Sequence, residues 1–203
     1  MKTEQDYIQD LAQIRTMMER SSKFLSLSGW AGVMAGIYAL AGAYIAWKYL
    51  QFIPGDTFSG SVPSDLNKIV ILAIIVLVLA IGTAIFLSSK NANAKGEKSW
   101  NATSRRLLVN MAVPLIAGGI LILALLSKGF IDMIAPLTLV FYGLALFNAG
   151  KFTFDEIKFM GMLQISLGLL SVYFIQYSLV FWALGFGVLN MVYGIYIHWK
   201  YER

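Results

Sequence analysis

The chain has 203 residues, of which 58% are hydrophobic and 13% are charged. Soluble domains carry about 25% charged residues, so this composition indicates a membrane protein. The chain has no cysteine and one histidine, which argues against a disulfide scaffold, a thiolate metal centre or a multi-histidine site. We therefore expect no cofactor. The formal net charge of +5 fits contact with anionic lipid and not with nucleic acid, since no base-reading motif accompanies it.

The first segment, residues 1–25, predicts a cytoplasmic amphipathic helix. Its apolar residues Ile8, Leu11, Ile14 and Met18 recur at helical spacing among polar ones. We expect this stripe to lie on the membrane surface, or else to contact a protein partner or a second copy of the chain. A cleavable signal peptide is not expected, because such a peptide begins with a short basic region.

Uncharged stretches then predict six transmembrane helices. Crossing the hydrocarbon takes about 20 helical residues, and the last uncharged interval, between Lys158 and Lys200, is long enough for two crossings with a turn at Gln176-Tyr177-Ser178. The predicted spans are residues 26–48, 68–88, 107–127, 132–149, 156–176 and 179–198. They form one all-α integral membrane domain, residues 26–199, followed by a cytoplasmic tail, residues 200–203.

The basic residues predict the orientation of these spans. With the N-terminus inside, all of the 16 Lys and Arg residues except Lys48, Lys68 and Lys128 fall on one side. The positive-inside rule makes that side the cytoplasm, so both termini are expected there. The loop between the first two spans then lies outside; it carries the turn signals Pro54-Gly55 and Pro63-Ser64-Asp65, and covering one end of a cavity is a role open to it that no residue requires.

A short motif recurs near the ends of the even-numbered spans. Ile81-Gly82-Thr83-Ala84-Ile85-Phe86 matches Tyr142-Gly143-Leu144-Ala145-Leu146-Phe147, and Tyr193-Gly194-Ile195 is a looser third copy. The motif predicts three tandem hairpins that enter the membrane from the same side, as parallel repeats. Chance similarity between apolar sequences is the alternative.

Small residues predict where the helices pack. Lipid gives helices no hydrophobic reason to associate, so they associate where glycine lets backbones approach. The candidate packing residues are Gly32, Gly36, Gly119, Gly168 and Gly194. A ligand cleft beneath the glycines is the alternative.

Neutral polar residues are the candidates for a site inside the membrane. Ionisable residues occur only near the ends of the spans, as Asp132 and His198 do, which argues against a carboxylate ion site. The candidate cavity-lining residues are Asn110, Tyr142, Gln164, Asn190 and Tyr193. Hydrogen bonding between helices, worth about 0.5–2 kcal/mol per bond, is the alternative.

The start of the fifth span carries a capping box, Thr153-Phe154-Asp155-Glu156. The Thr153 hydroxyl is expected to accept a hydrogen bond from a backbone N–H of the first turn, while Glu156 reaches back. The motif predicts a helix start and no chemistry.

Both ends of the membrane region resemble a known family. Ile14-Arg15-Thr16-Met17-Met18-Glu19-Arg20-Ser21-Ser22-Lys23-Phe24-Leu25-Ser26-Leu27-Ser28-Gly29, Phe181-Trp182-Ala183-Leu184-Gly185-Phe186-Gly187-Val188-Leu189 and Val192-Tyr193-Gly194-Ile195 are similar to an uncharacterised family of small bacterial inner-membrane proteins. The resemblance covers almost the whole chain; it implies a bacterial inner membrane and six spans, and no activity. The hairpin pattern is also similar to HdeD-like acid-resistance membrane proteins.

These patterns predict a non-catalytic scaffold or accessory membrane component that uses its N-terminal helix as a contact surface. An enzyme is not expected, because no catalytic motif and no pair of membrane carboxylates is present. The alternative is a carrier or binder of a small neutral or lipidic molecule between the hairpins. A channel has less support, since no ring of charge or filter-like loop is visible.

Overall fold

The computed structural model describes residues 28–52, 54–55, 65–94 and 102–202. Every regular element within these residues is a helix, which confirms the all-α fold class. The predicted amphipathic helix of residues 1–25 lies outside the described residues, as do its stripe residues Ile8, Leu11, Ile14 and Met18.

Five long helices are followed by a continuous helical stretch, residues 178–202, that we call the C-terminal helix. The five are α1 (Gly29–Lys48), α2 (Leu66–Ala94), α3 (Ala102–Ser127), α4 (Ile134–Ala149) and α5 (Asp155–Tyr173). The C-terminal helix consists of α6 (Ser178–Trp182), a π-helical segment (Ala183–Leu189), α7 (Asn190–Ile197) and a second π-helical segment (His198–Glu202). Short 3-10 turns precede α4 (Ile131–Met133) and α6 (Ile175–Tyr177).

Five helical stretches are long and apolar enough to cross a membrane. They are Gly29–Lys48, Leu66–Asn93, Thr103–Ser127, Ile131–Ala149 and Ile175–Glu202. Helix α5 is not among them: Asp155, Glu156 and Lys158 occupy its beginning, and buried Gln164 adds a further polar side chain. The described residues therefore fit a multi-pass membrane protein, with five candidate spans by length and composition.

Several helix bounds differ from the predicted spans. Helix α2 continues to Ala94 although its predicted span ends at 88, because a charged residue such as Lys90 marks the edge of the hydrocarbon and does not end a helix. Residues 200–202, predicted as part of a tail, belong to the C-terminal helix. Helix α5 ends at Tyr173, before the predicted turn, because Phe174 leaves helical geometry at φ −113° and ψ 60°.

The predicted capping box at the start of α5 is wrong. The N-cap residue is Phe154, and the described residues provide no side-chain cap there. Thr153 is fully buried and donates its hydroxyl hydrogen to the carbonyl of Ala149, at 2.9 Å. Glu156 instead binds Lys200 of the C-terminal helix, so tertiary partners replace the local motif.

The helices are arranged around the C-terminal helix. It packs against α1 on one side and against α4 and α5 on another, while α4 and α5 form the most extensive pair. Helix α2 packs on α1, and helix α3 packs on α4. The outward faces of α2 and α3 are apolar and exposed, as at Ile85 and Ile120, which is the surface that a lipid environment covers.

Glycines lie where helices touch at the backbone. A Cβ added at Gly194 would lie 2.5 Å from the carbonyl oxygen of Gly29 and 2.6 Å from the nitrogen of Val33. A Cβ at Gly32 would lie 3.1 Å from the carbonyl oxygen of Asn190. Helices α1 and the C-terminal helix therefore approach too closely for larger side chains at these positions.

The remaining candidate packing glycines divide into two groups. Gly36 faces Gly187 and Met191 of the C-terminal helix, and Gly168 faces the Pro136 carbonyl of α4. Gly119 differs from the prediction, because no atom of the described residues lies within 4 Å of a Cβ added there. It lies on the exposed side of α3, where spacing in the sequence does not distinguish a packed face from a lipid-facing one.

We predict that Gly194→Leu lowers the free energy of unfolding by about 1–3 kcal/mol, the usual cost of overpacking. Gly82 occupies the corresponding place in the repeated motif, but no described atom lies within 4 Å of a Cβ there. The matched variant Gly82→Leu should therefore leave stability nearly unchanged. Thermal unfolding in detergent micelles measures both, and equal destabilisation would contradict the packing described for Gly194.

Candidate functional site

A cluster of neutral polar side chains is buried where α4, α5 and the C-terminal helix meet. Gln164 is fully buried and donates from Nε2 to the carbonyl of Gly185, at 2.9 Å. Asn190, 5% exposed, donates from Nδ2 to the carbonyl of Phe186 at 2.9 Å. The Tyr142 hydroxyl donates to Asn190 Oδ1 at 3.2 Å. Three of the five candidate cavity-lining residues thus lie together.

The carbonyls that accept these side-chain amides belong to the π-helical segment Ala183–Leu189. A π-helical turn departs from the regular hydrogen-bond ladder of an α-helix. Here the carbonyls of Gly185 and Phe186 accept side-chain amides, from Gln164 and from Asn190. Buried carbonyls in lipid must find partners within the protein, so the amides stabilise an irregular stretch of helix.

The other two candidate cavity-lining residues lie elsewhere. Asn110 donates from Nδ2 to the carbonyl of Arg106 in its own helix, at 2.8 Å, so it does not join the cluster. Tyr193 packs against an apolar core cluster that includes Leu146, Ile157 and Ile197, at the end of the bundle where α5 begins.

A second polar centre, which the sequence analysis missed, lies around Glu202. Its side chain is 8% exposed, and its carboxylate accepts hydrogen bonds at Oε1 from the Gly29 backbone N–H, at 2.9 Å, and from Asn91 Nδ2, at 3.1 Å. His198 Nδ1 lies 2.5 Å from Glu202 Oε2. One side chain therefore connects α1, α2 and the C-terminal helix.

The position of the Glu202 carboxylate, at the start of α1, also favours its negative charge. Gly29 is the first residue of α1, and the N-terminus of a helix carries a partial positive charge with unpaired N–H groups. The contact between His198 and Glu202 could have been predicted from the sequence, since residues four apart share a helix face. The contact with Gly29 is separated by 173 positions, and no local pattern indicates it.

Glu156 forms a neighbouring centre at the same end of the bundle. It forms an ion pair with Lys200, and the Tyr201 hydroxyl donates to its two carboxylate oxygens at 3.0 and 3.2 Å. The Tyr201 ring stacks on Phe154 with ring centroids 4.0 Å apart. These contacts hold the start of α5 against the end of the C-terminal helix. The Lys200 side chain is partly exposed, so solvent weakens the ion pair.

The amide cluster and the two carboxylate centres all join helices to one another, but in different surroundings. Neutral hydrogen bonds join helices inside the bundle, and ionic ones join them at its end. Among the described residues, no three His, Cys, Asp or Glu side chains gather as metal ligands would.

We predict that Glu202→Ala lowers the free energy of unfolding by about 1.5–3 kcal/mol, the range for hydrogen bonds to a charged group. The loss arises because the Gly29 N–H and the Asn91 amide lose their acceptor. Lys68→Ala is the control, since it breaks an exposed ion pair with Asp65 and should cost at most about 1 kcal/mol. Denaturant unfolding in mixed micelles measures both, and similar losses would refute a special role for Glu202.

We also predict that Tyr142 and Asn190 are energetically coupled. A double-mutant cycle with Tyr142→Phe and Asn190→Leu should give a coupling of about 0.5–1.5 kcal/mol, as for other hydrogen bonds between membrane helices. The same cycle with Asn110→Leu in place of Asn190→Leu should give no coupling beyond about 0.3–0.5 kcal/mol. Equal coupling in the two cycles would contradict the cluster.

Comparison with known proteins adds no relative. No protein-family model, no curated protein and no solved structure matches the chain. The resemblances to an uncharacterised inner-membrane family and to HdeD-like proteins therefore stay predictions, and function is argued from the geometry of this chain alone.

Proposed function

We propose that the protein is a non-catalytic scaffold or accessory component of a bacterial inner membrane, and that it spans the membrane six times. Its contact surface is the amphipathic N-terminal segment, residues 3–25, directed at the lipid surface or at a protein partner. The observation that carries the proposal is the fixed start of α1. Glu202 and the close-packed Gly194 hold Gly29 in place, so the segment that precedes α1 is attached to a rigid base.

The count of six spans is supported by the position of that contact. Gly29 begins α1 and Glu202 ends the C-terminal helix, yet the two are joined by a hydrogen bond. A chain that starts and finishes at the same end of a bundle crosses it an even number of times. Helix α5 supplies the additional crossing, since it packs along α4 and has 19 residues, close to the length that a span needs.

The orientation follows from the basic residues at the two ends of the bundle. Lys90 near the end of α2 and Lys200 near the end of the C-terminal helix lie at the end that contains Glu202. Lys48 and Lys68 lie at the opposite ends of α1 and α2. The positive-inside rule therefore favours a cytoplasmic position for the end of the bundle that contains Glu202, which supports the proposal that both termini are cytoplasmic.

The bonding of the amide cluster favours a structural role over a cavity between the hairpins. The Tyr142 hydroxyl and both amide donors bind protein acceptors. A carrier would keep such groups available to its ligand, whereas here they connect helices. The scaffold is therefore the better supported of the two functions.

The test is the double substitution Ile14→Asp with Met18→Asp in the full chain. Two charges on the apolar stripe should reduce partner recovery and membrane protection of the segment by about tenfold or more, because burial of each apolar side chain contributes about 1.5–3 kcal/mol. Gln9→Asp with Gln13→Asp adds the same charge to the opposite helix face and should leave both properties unchanged.

Quantitative mass spectrometry of protein extracted in native lipid measures partner recovery, and the rate of limited proteolysis within residues 3–25 measures membrane protection. If the two double variants behave alike in both measurements, the segment is not the contact surface and the scaffold proposal fails.

A further inference from the structure

Three oxygen atoms inside the bundle have no hydrogen-bond partner among the described residues. They are Gln164 Oε1, Ser171 Oγ and Ser178 Oγ. Their side chains are 0%, 0% and 1% exposed. An unpaired buried polar atom costs about 1–3 kcal/mol, and lipid offers it no partner, so three of them in one region require an explanation.

Two of the three oxygens belong to α5, and the third belongs to the start of the C-terminal helix. Gln164 and Ser171 are seven residues apart and so share a face of α5. Ser178 is the first residue of the C-terminal helix, and Gln164 contacts Gly185 of the same helix. The chain reverses direction between Ser171 and Ser178. We call these four residues the polar seam.

The polar seam begins at the end of the bundle opposite Glu202. Asp132, 2% exposed, accepts a hydrogen bond from the Gly55 N–H at 2.9 Å. A Cβ added at Gly55 would lie 3.8 Å from the Cα of Gln176, two residues before Ser178. The outer loop, a carboxylate and the first residues of the seam therefore lie together on one side of the membrane.

The chemistry of the seam defines what it binds. Gln164 Oε1 can only accept a hydrogen bond, and a serine hydroxyl can both accept and donate. None of the three side chains carries a charge. A Cβ added at Gly185 would lie 2.5 Å from Gln164 Oε1, so the seam is narrow, and its occupant must be small, neutral and able to donate hydrogen bonds.

We propose that the polar seam binds water, admitted from the outer end of the bundle as far as Gln164. Buried water in proteins pairs with polar groups that would otherwise be unsatisfied. The proposal concerns α5 and the C-terminal helix and is independent of the role of residues 3–25. The water in the seam then extends from the outer end of the bundle to Gln164, inside a membrane domain that is otherwise apolar.

The chain has no natural cysteine, so single cysteines report on the seam directly. Ser171→Cys and Ser178→Cys place thiols in the polar seam. Ser166→Cys and Val172→Cys place thiols at exposed, lipid-facing positions of α5, the helix that carries Ser171. Each variant is reconstituted in lipid nanodiscs, exposed to Ag⁺ for increasing times and then denatured. Alkylation and mass spectrometry measure the thiols that remain unmodified.

We expect the two seam thiols to react with Ag⁺ at least about tenfold faster than the lipid-facing thiols. Lipid desolvates the control thiols and raises their pKa, and each unit of that rise lowers the fraction of reactive thiolate about tenfold. Equal or slower reaction of the seam thiols would overturn the proposal. Elution as a monodisperse peak in size-exclusion chromatography verifies that each variant is folded.

A second measurement uses the unaltered chain and avoids any effect of substitution. In solid-state NMR of serine-labelled protein in lipid, magnetisation should pass from water to Ser171 and Ser178 at least about twice as fast as to Ser166, whose hydroxyl donates to the carbonyl of Met162. Transfer to Ser171 and Ser178 that is no faster than to Ser166 would show a dry seam and would overturn the proposal.

Discussion

The close contact between α1 and the C-terminal helix is the constraint on which the rest of the bundle depends. Gly29, Gly32 and Gly194 let the two backbones touch, and the Glu202 carboxylate accepts a hydrogen bond from the backbone N–H of Gly29 at the start of α1. Both features contribute, since helices in lipid associate through packing and directed hydrogen bonds. Because Asn91 binds the same carboxylate, the contact also determines where α2 lies.

Polar groups in this bundle are graded by depth. Ionisable side chains lie towards the ends of the helices, as Glu202 and Glu156 do at one end and Asp132 does at the other. Towards the middle they give way to uncharged groups such as Tyr142, Gln164 and Asn190, which bind one another or backbone carbonyls. The gradient follows from the cost of burying charge in hydrocarbon, which far exceeds that of burying a paired amide.

The sequence predicts the periodic and compositional features of the fold and misses the contacts between distant residues. Apolar runs locate the helices because the hydrocarbon thickness sets their length. They do not distinguish Asn190, which faces α4, from Asn110, which bonds its own helix, since both are single amides in apolar surroundings. Glu202 was missed for a related reason: its partner Gly29 has no side chain to mark it, and lies at the other end of the sequence.

The adjacency of the first and last helices has a consequence for biogenesis. Helix α1 is synthesised before every other described element, yet the surface that it packs against is completed only with Glu202. Gly32 and Gly36 therefore gain their partners Asn190 and Gly187 only once the C-terminal helix has been made, whereas α4 and α5, which pack on each other, both precede that helix. Packing of α1 in the bundle thus depends on synthesis of the C-terminal helix, the last of the described elements, and a chain interrupted before it leaves the glycine face of α1 without that partner.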